Sequence, residues 1–212
     1  QIDSALENFG MSMGPFRMMD LVGLDLGWRA RKLSKTNPPV TALINDALCE
    51  QDRFGQKNNK GFYNYKEGSR APHPAPENEK LYEKVSEDNG YKRREISDTE
   101  IVDRCILALV NEGAKILQEG VSQRSGDMDV VYINGYGFPI WRGGPMQYAN
   151  MEGLEKVSNK IDEFAKNDPD FWSKAEIIEQ LSKENGRFGE APTKEERKEK
   201  LSFNQTSVAK NF

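Results

Sequence analysis

The single histidine of the chain, His73, is the first candidate for proton transfer. It lies within Ala71-Pro-His-Pro-Ala-Pro, a composition that favours an exposed, extended backbone. A general base needs a shaped, partly desolvated site and a partner that orients it. Because the proline-rich segment offers neither, we predict a solvated surface histidine and no catalytic residue in this chain.

Carboxylates and thiols indicate no other reactive or metal-binding arrangement. Four aspartates stand near predicted helix starts or turns, where they are typical of capping residues: Asp20, Asp25, Asp127 and Asp129. Cys49 and Cys105 form no CxxC pair and have no histidine cluster beside them, which favours a reducing compartment and argues against zinc. We therefore predict no metal ligand.

A glycine-rich stretch, Gly135-Tyr-Gly-Phe-Pro-Ile, has some likeness to a dinucleotide-binding loop. That loop requires a third glycine and free N–H groups at a helix start to meet the pyrophosphate. Here Ile140 holds the third-glycine position, and Pro139 has no N–H to donate. We predict no cofactor-binding residue and interpret the glycines as a tight turn between helices.

Two copies of one motif organise the elements around these residues. Five matched pairs share an offset of 130 residues: Gly14 and Gly144, Pro15 and Pro145, Asp20 and Asn150, Gly23 and Gly153, and Leu24 and Leu154. Asp3 and Asp129, which begin the copies, are 126 apart, so the second copy contains about four additional residues in its loop. Each Gly-Pro pair predicts a helix start, since proline is tolerated in the first helical turn. Two tandem helical repeats are the simplest interpretation.

The strongest helix prediction covers Thr99 to Glu119, where apolar residues recur with a 3.6-residue period and Gly120 is expected to end the helix. Glu112 on this helix is either an exposed charge or a hydrogen-bonding partner across the repeat interface. An offset of 130 places the counterpart of this helix before residue 1. We therefore expect the first repeat to lack its leading helix, and the unpaired apolar face to favour self-association or disorder near the start.

Shorter helices are predicted over residues 24–33, 40–50, 154–167 and 173–184. The polar, proline-bearing stretch between the two copies predicts an exposed, semi-extended linker. The fold class is therefore all-α. The predicted organisation is a first repeat at residues 1–65, a linker at 66–95, a second repeat at 96–189 and a mobile charged tail at 190–212.

Longer ordered motifs accompany the copies: Phe9-Gly-Met-Ser-Met-Gly-Pro-Phe, Asp20-Leu-Val-Gly-Leu, Arg53-Phe-Gly and Lys60-Gly-Phe-Tyr in the first, and Asn111-Glu, Gly135-Tyr-Gly-Phe-Pro and Arg142-Gly-Gly-Pro in the second. With them, the chain resembles the C-terminal domain of 3-hydroxyacyl-CoA dehydrogenases. Both copies together resemble the tandem domains of the bifunctional enzymes of peroxisomal fatty acid β-oxidation. The resemblance extends from Ile2 to about Phe188.

The resemblance implies a parent enzyme that reduces NAD while a 3-hydroxyacyl-CoA becomes a 3-ketoacyl-CoA. It places NAD and the catalytic His-Glu pair on an upstream nucleotide-binding domain, and hydratase activity further upstream. The present chain alone is then expected to be inactive. Its expected contribution is to close the acyl-CoA cleft with the first repeat and to brace that repeat with the second.

The family's acyl-contacting loop corresponds to Met11, Ser12, Met13, Gly14 and Pro15. Methionine suits such a wall because its side chain is flexible and polarisable. The alternative that these methionines fill the core is equally open. A second class of function, a noncatalytic helical module that dimerises or docks, is also open.

Charge and hydropathy exclude two kinds of partner. Thirty basic residues against 34 acidic ones give a net charge of −4, so we expect no nucleic-acid binding. The mean hydropathy is −0.78 and no apolar stretch approaches a membrane span, so we expect no membrane insertion. The resemblance suggests an intracellular, peroxisomal location, although the chain ends Val-Ala-Lys-Asn-Phe and carries no Ser-Lys-Leu-type signal.

Overall fold

The computed structural model describes residues 1–190, and the predicted charged tail lies outside them apart from residue 190. Its helices are α1 (Ile2–Phe9), α2 (Pro15–Val22), α3 (Asp25–Ser34), α4 (Leu43–Cys49), α5 (Glu79–Asp88), α6 (Asp98–Gln118), α7 (Ser125–Gly135), α8 (Pro145–Glu152), α9 (Leu154–Ala165) and α10 (Glu176–Lys183). Single 3-10 turns lie at Val40–Ala42, Gln56–Asn58, Pro76–Asn78, Ile140–Arg142 and Phe188–Glu190. Within residues 1–190, β-structure is limited to isolated bridges, and the all-α prediction is confirmed.

The chain forms two compact units, which are not simply its two halves. The first unit contains residues 1–7 and 13–97. The second contains residues 8–12 together with the described residues from Asp98 onwards. The exact repeat boundaries at 65 and 96 stay a prediction.

The second unit is built around α6, whose apolar face packs against α8, α9 and α10. The residues buried on that face follow the predicted period: Leu107, Val110, Ala114 and Leu117. Burying each of the larger side chains contributes roughly 1.5–3 kcal/mol. A Cβ at Gly113 would lie 2.8 Å from the sulfur of Met146, so glycine lets α6 and α8 approach closely.

Helix α6 agrees with the predicted span to one residue at each end. Gly120 adopts φ +71°, the left-handed conformation expected where a helix stops. Asn111 is the buried polar residue of this helix: its amide donates to the Ser173 carbonyl at 2.9 Å and accepts from the Ala175 N–H at 2.9 Å. Glu112 is exposed, as in the simpler of its two interpretations.

The first unit has a smaller core under α2, α3 and α4. Its buried members are Leu24, Leu48, Cys49 and Phe62. Phe16 stacks on Phe62 with ring centroids 4.3 Å apart, which adds an aromatic contact to the burial. The core therefore depends on the loop that carries Phe62 as well as on the helices.

Helix α5 corrects the prediction of a semi-extended linker at residues 66–95. It spans Glu79–Asp88 and packs Leu81 and Tyr82 against the first core. Just before it, the buried side chain of Asn78 donates to the carbonyls of Gly61 and Phe62 at 3.1 and 3.2 Å. This part of the predicted linker is therefore an ordered element of the first unit.

Candidate functional site

Of the five predicted acyl-contact residues, Met11 to Gly14 lie between α1 and α2, Pro15 is the first residue of α2, and the unit boundary falls between Ser12 and Met13. Met11 and Ser12 belong to the second unit, whereas Met13, Gly14 and Pro15 belong to the first. Ser12 is exposed, Gly14 is buried and the other three are half-buried. Both methionines are thus only partly covered, and their contact with an acyl chain stays a prediction.

Helix α2 begins at Pro15 as predicted, and its start is capped from a distance. The buried carboxylate of Asp3 accepts from the N–H groups of Phe16 at 2.9 Å and Arg17 at 3.0 Å. A Cβ at Gly14 would lie 2.3 Å from Asp3, so glycine is required for this approach. The sequence placed Asp3 at the head of the repeat but gave it no role.

In the second unit, the start of helix α8 is likewise capped by a remote aspartate. Asp129 accepts from the N–H of Met146 at 2.7 Å and of Gln147 at 3.2 Å. A Cβ at Gly144 would lie 2.4 Å from Asp129. Burial raises the pKa of the Asp129 carboxyl, while these two hydrogen bonds act in the opposite sense. Asp129 therefore caps a helix as predicted, although it lies within α7 and the helix that it caps is the later helix α8.

The buried carboxylate of Asp20 accepts several hydrogen bonds within the first unit. Its interpretation as a helix cap was wrong. Its carboxylate accepts from the N–H groups of Phe62 at 2.9 Å and Tyr63 at 3.0 Å, and from the Tyr65 hydroxyl at 2.9 Å. A Cβ at Gly61 would lie 2.0 Å from the same carboxylate. Burial raises the pKa of Asp20, and the three hydrogen bonds oppose that shift. The Lys60-Gly-Phe-Tyr motif therefore binds the Asp20 carboxylate through its backbone N–H groups.

Arg53, from the Arg-Phe-Gly motif, holds the same loop from the other side. Its buried guanidinium donates to the Gly61 carbonyl at 2.8 Å, to Asn64 at 2.9 Å and to Glu77 at 3.1 Å. Every one of these acceptors lies within the first unit. These contacts support a structural role for Arg53 within the first unit.

The glycine loop of the second unit does not have the setting of a dinucleotide site. Its first glycine, Gly135, is the last residue of α7, and Val130 and Val131 lie on that helix. A dinucleotide loop would instead follow a strand and open a helix. This loop therefore lacks the setting of a dinucleotide-binding site.

His73 and the cysteines form no reactive centre. His73 is half-buried, not fully solvated as predicted, because its backbone pairs with Asn64 in both directions at 2.8 and 2.9 Å. Burial raises the pKa of the Cys49 thiol to about 12 and raises that of Cys105. Within residues 1–190, no group of three or more His, Cys, Asp or Glu side chains could hold a metal ion. No helix described there is long and apolar enough to cross a bilayer.

An apolar groove of about 380 Å³ lies on the first unit, along α2 and α3. Its wall includes the exposed side chains of Met19, Val22 and Leu26. At the repeat offset of 130, Met19 corresponds to Ala149, which is fully buried in the second unit where α6 covers α8. The part of the first unit that the structure describes contains no counterpart of α6.

The fold and these motifs agree with one class of domain. Residues 1–65 match the family described as 3-hydroxyacyl-CoA dehydrogenase, C-terminal domain. The first repeat is therefore similar to the helical C-terminal domains of 3-hydroxyacyl-CoA dehydrogenases, and the predicted resemblance is confirmed.

Relatives extend the likeness into the second repeat. The chain is 46% identical over 177 residues to the peroxisomal bifunctional enzyme of Danio rerio, covering 76% of this chain and 25% of the relative. It is 32% identical over 200 residues to the fatty acid oxidation complex subunit alpha of Pseudomonas savastanoi pv. phaseolicola. That match covers 92% of this chain and 28% of the relative. The chain thus spans about a quarter of the length of these curated relatives.

A solved structure gives the same result at the level of the fold. The crystal structure of the dehydrogenase part of multifunctional enzyme 1 from C. elegans is similar with a TM-score of 0.67 and 29% sequence identity. The match covers 85% of this chain and 41% of that one. The likeness therefore includes both units.

Proposed function

We propose that the chain is the C-terminal part of an NAD-dependent 3-hydroxyacyl-CoA dehydrogenase within a bifunctional enzyme of fatty acid β-oxidation. In that reaction the hydroxyl-bearing carbon gives a hydride to NAD, the hydroxyl gives up its proton, and a 3-ketoacyl-CoA results. The match of residues 1–65 to the dehydrogenase C-terminal domain carries the proposal. The peroxisomal relative supports a peroxisomal location.

The chain contributes a wall and a brace to this enzyme. Met11–Pro15 contact the fatty-acyl end of the substrate and help to close its cleft, while the second repeat supports the first. NAD and the catalytic His-Glu pair belong to a nucleotide-binding domain that partners this chain. This division is supported by the setting of the glycine loop after helix α7, where it does not suit a pyrophosphate.

Reconstitution tests the proposal. The chain is mixed with a separately produced nucleotide-binding domain, and NADH oxidation is followed with acetoacetyl-CoA. Neither protein alone should turn over, and the mixture should. A stable complex with no turnover would contradict the proposal.

A matched pair of variants then tests the acyl wall in the active mixture. Met11→Asp places a charge on the proposed wall, whereas Met151→Asp places one on a methionine of the second repeat that is 64% exposed. Met11→Asp should raise KM for a long-chain 3-ketoacyl-CoA about tenfold, and Met151→Asp should leave it unchanged. Equal effects of the two substitutions would argue against an acyl wall at Met11.

The second candidate function is a noncatalytic module that self-associates, and the open apolar groove along α2 and α3 favours it. A second copy would cover the groove and remove its apolar side chains from water. Sedimentation should then show association that Met19→Lys weakens and Met151→Lys does not. A monodisperse monomer at high concentration would count against this function.

A further inference from the structure

Residues 8–12 are held at three points by the second unit, to which they belong. Phe9 is buried, and its ring meets those of Phe138 and Tyr148 edge-on at centroid distances of 5.8 and 5.3 Å. Two residues further on, Met11 keeps a partly exposed side chain. Its backbone is therefore anchored while its side chain is left accessible.

Arg142 holds Phe9, two residues before Met11. Its guanidinium carbon lies 4.0 Å from the centroid of the Phe9 ring and 4.0 Å from that of Trp141. Its Nε also donates to the Phe9 carbonyl at 3.0 Å. This combination of stacking and a directed hydrogen bond is specific to arginine, since lysine has no planar fork.

Gly137 fixes the residue on the C-terminal side of Met11. Its carbonyl accepts from the Ser12 N–H at 3.0 Å. Gly137 has φ +67°, and a Cβ there would lie 1.8 Å from the Ser12 Oγ. Between these two anchors, a Cβ at Gly10 would lie 2.9 Å from the Cβ of Pro139, so the segment fits tightly against the glycine loop.

We propose that Gly137 and Arg142 are positioning residues for acyl-chain selection. They fix the backbone on both sides of Met11, so that its side chain is presented to the acyl chain in one place. The inference rests on the proposed acyl wall at Met11–Pro15. It assigns to the glycine-rich loop of the second repeat a role in substrate selectivity as well as support.

Hydrogen exchange in the whole chain tests the positioning directly. Gly137→Ala should speed exchange across residues 9–12 about tenfold, because the new Cβ forces Ser12 away. Gly143→Ala is the matched control: Gly143 has a similar φ of +77°, but a Cβ there meets the side chain of Gln147. Removing the obstruction in the double variant Gly137→Ala with Ser12→Gly should restore most of the protection. Unchanged exchange at residues 9–12 in Gly137→Ala overturns the inference.

Kinetics of the reconstituted enzyme test the consequence for selectivity. Gly137→Ala and Arg142→Met should raise KM for a long-chain 3-ketoacyl-CoA about tenfold relative to acetoacetyl-CoA, with kcat for acetoacetyl-CoA within about twofold of the unsubstituted enzyme. Gly143→Ala should leave the KM ratio unchanged. A faster exchange without a change in the ratio overturns the selectivity role. An inactive mixture refutes the proposed function, while the exchange experiment still decides the positioning.

Discussion

Replacing Asp3 by alanine should loosen helix α2 and leave the equivalent helix α8 intact. The carboxylate of Asp3 accepts three hydrogen bonds: the two backbone bonds that cap α2, and one from the Tyr63 hydroxyl at 2.8 Å. Losing the cap costs about 0.5–2 kcal/mol, and leaving the hydroxyl without a partner adds about 1–3 kcal/mol. The expected loss for Asp3→Ala is therefore about 1.5–5 kcal/mol.

Asp129→Ala is the internal control for this substitution. Asp129 caps α8 through backbone donors but has no tyrosine partner, so its loss should cost only about 0.5–2 kcal/mol. Asp3→Asn should fall between the unsubstituted chain and Asp3→Ala, because its amide oxygen can still accept one bond. Adding Tyr63→Phe should reduce the cost of Asp3→Ala by the tyrosine contribution.

Hydrogen exchange resolves the two helices separately. The last turn of α2 closes with the Gly23 N–H on Met19, and that of α8 closes with the Gly153 N–H on Ala149. A loss of 2 kcal/mol corresponds to exchange faster by roughly thirtyfold. Asp3→Ala should show this at α2 and little at α8, and Asp129→Ala should do the reverse. Equal acceleration at both helices would refute the idea that each aspartate acts through its own cap.

Three further predictions concern the first unit. Arg53→Lys should lower the free energy of unfolding by about 2–4 kcal/mol in urea titrations, since the compact lysine ammonium cannot replace three separate guanidinium nitrogens that each reach a different acceptor. An unchanged midpoint would contradict this. Cys49, whose pKa burial raises to about 12, should resist a thiol reagent at pH 8 until the protein is unfolded, whereas rapid labelling of native protein would show that it is accessible. The hydrogen bond from Lys57 lowers the pKa of Asp25, so the stability that this pair provides is present above about pH 3.9 and is lost as the pH falls through the folded-state pKa. Asp25→Asn should therefore flatten the decline in Tm on acidification, and an unaltered decline would exclude Asp25 as its source.

Sequence patterns predicted those helices that are determined by residues close together in the sequence. The 3.6-residue period placed α6 to within one residue at each end, and the Gly-Pro pairs placed the starts of α2 and α8. Helix α5 was missed because its sequence is mostly charged and has only a small apolar face. That face stabilises the helix only when it packs against the core of the first unit. In such a case tertiary packing decides the conformation.

The polar contacts of the candidate site depend on partners far apart in sequence. Asp20 and Phe62 are 42 residues apart, and Arg142 is 133 residues from the Phe9 carbonyl that accepts its hydrogen bond. No periodicity links such pairs, although the shared position of Asp3 and Asp129 in the two copies could have indicated the remote caps. The start of α2 at Pro15 followed from the repeat, whereas Met11–Pro15 were singled out only by the family resemblance. Their contact with substrate depends on a molecule outside the chain.

The assignment of residues 8–12 to the second unit has a consequence for how this duplication can be divided. Phe9 fills part of the second unit's interior beside Phe138 and Tyr148. A fragment that starts at Asp98 would lack Phe9 and would therefore have a cavity at the position of its ring. Recombination that exchanged the second repeat as one contiguous block would not include Phe9, whose ring packs in the second unit. The two copies are therefore expected to be inherited together.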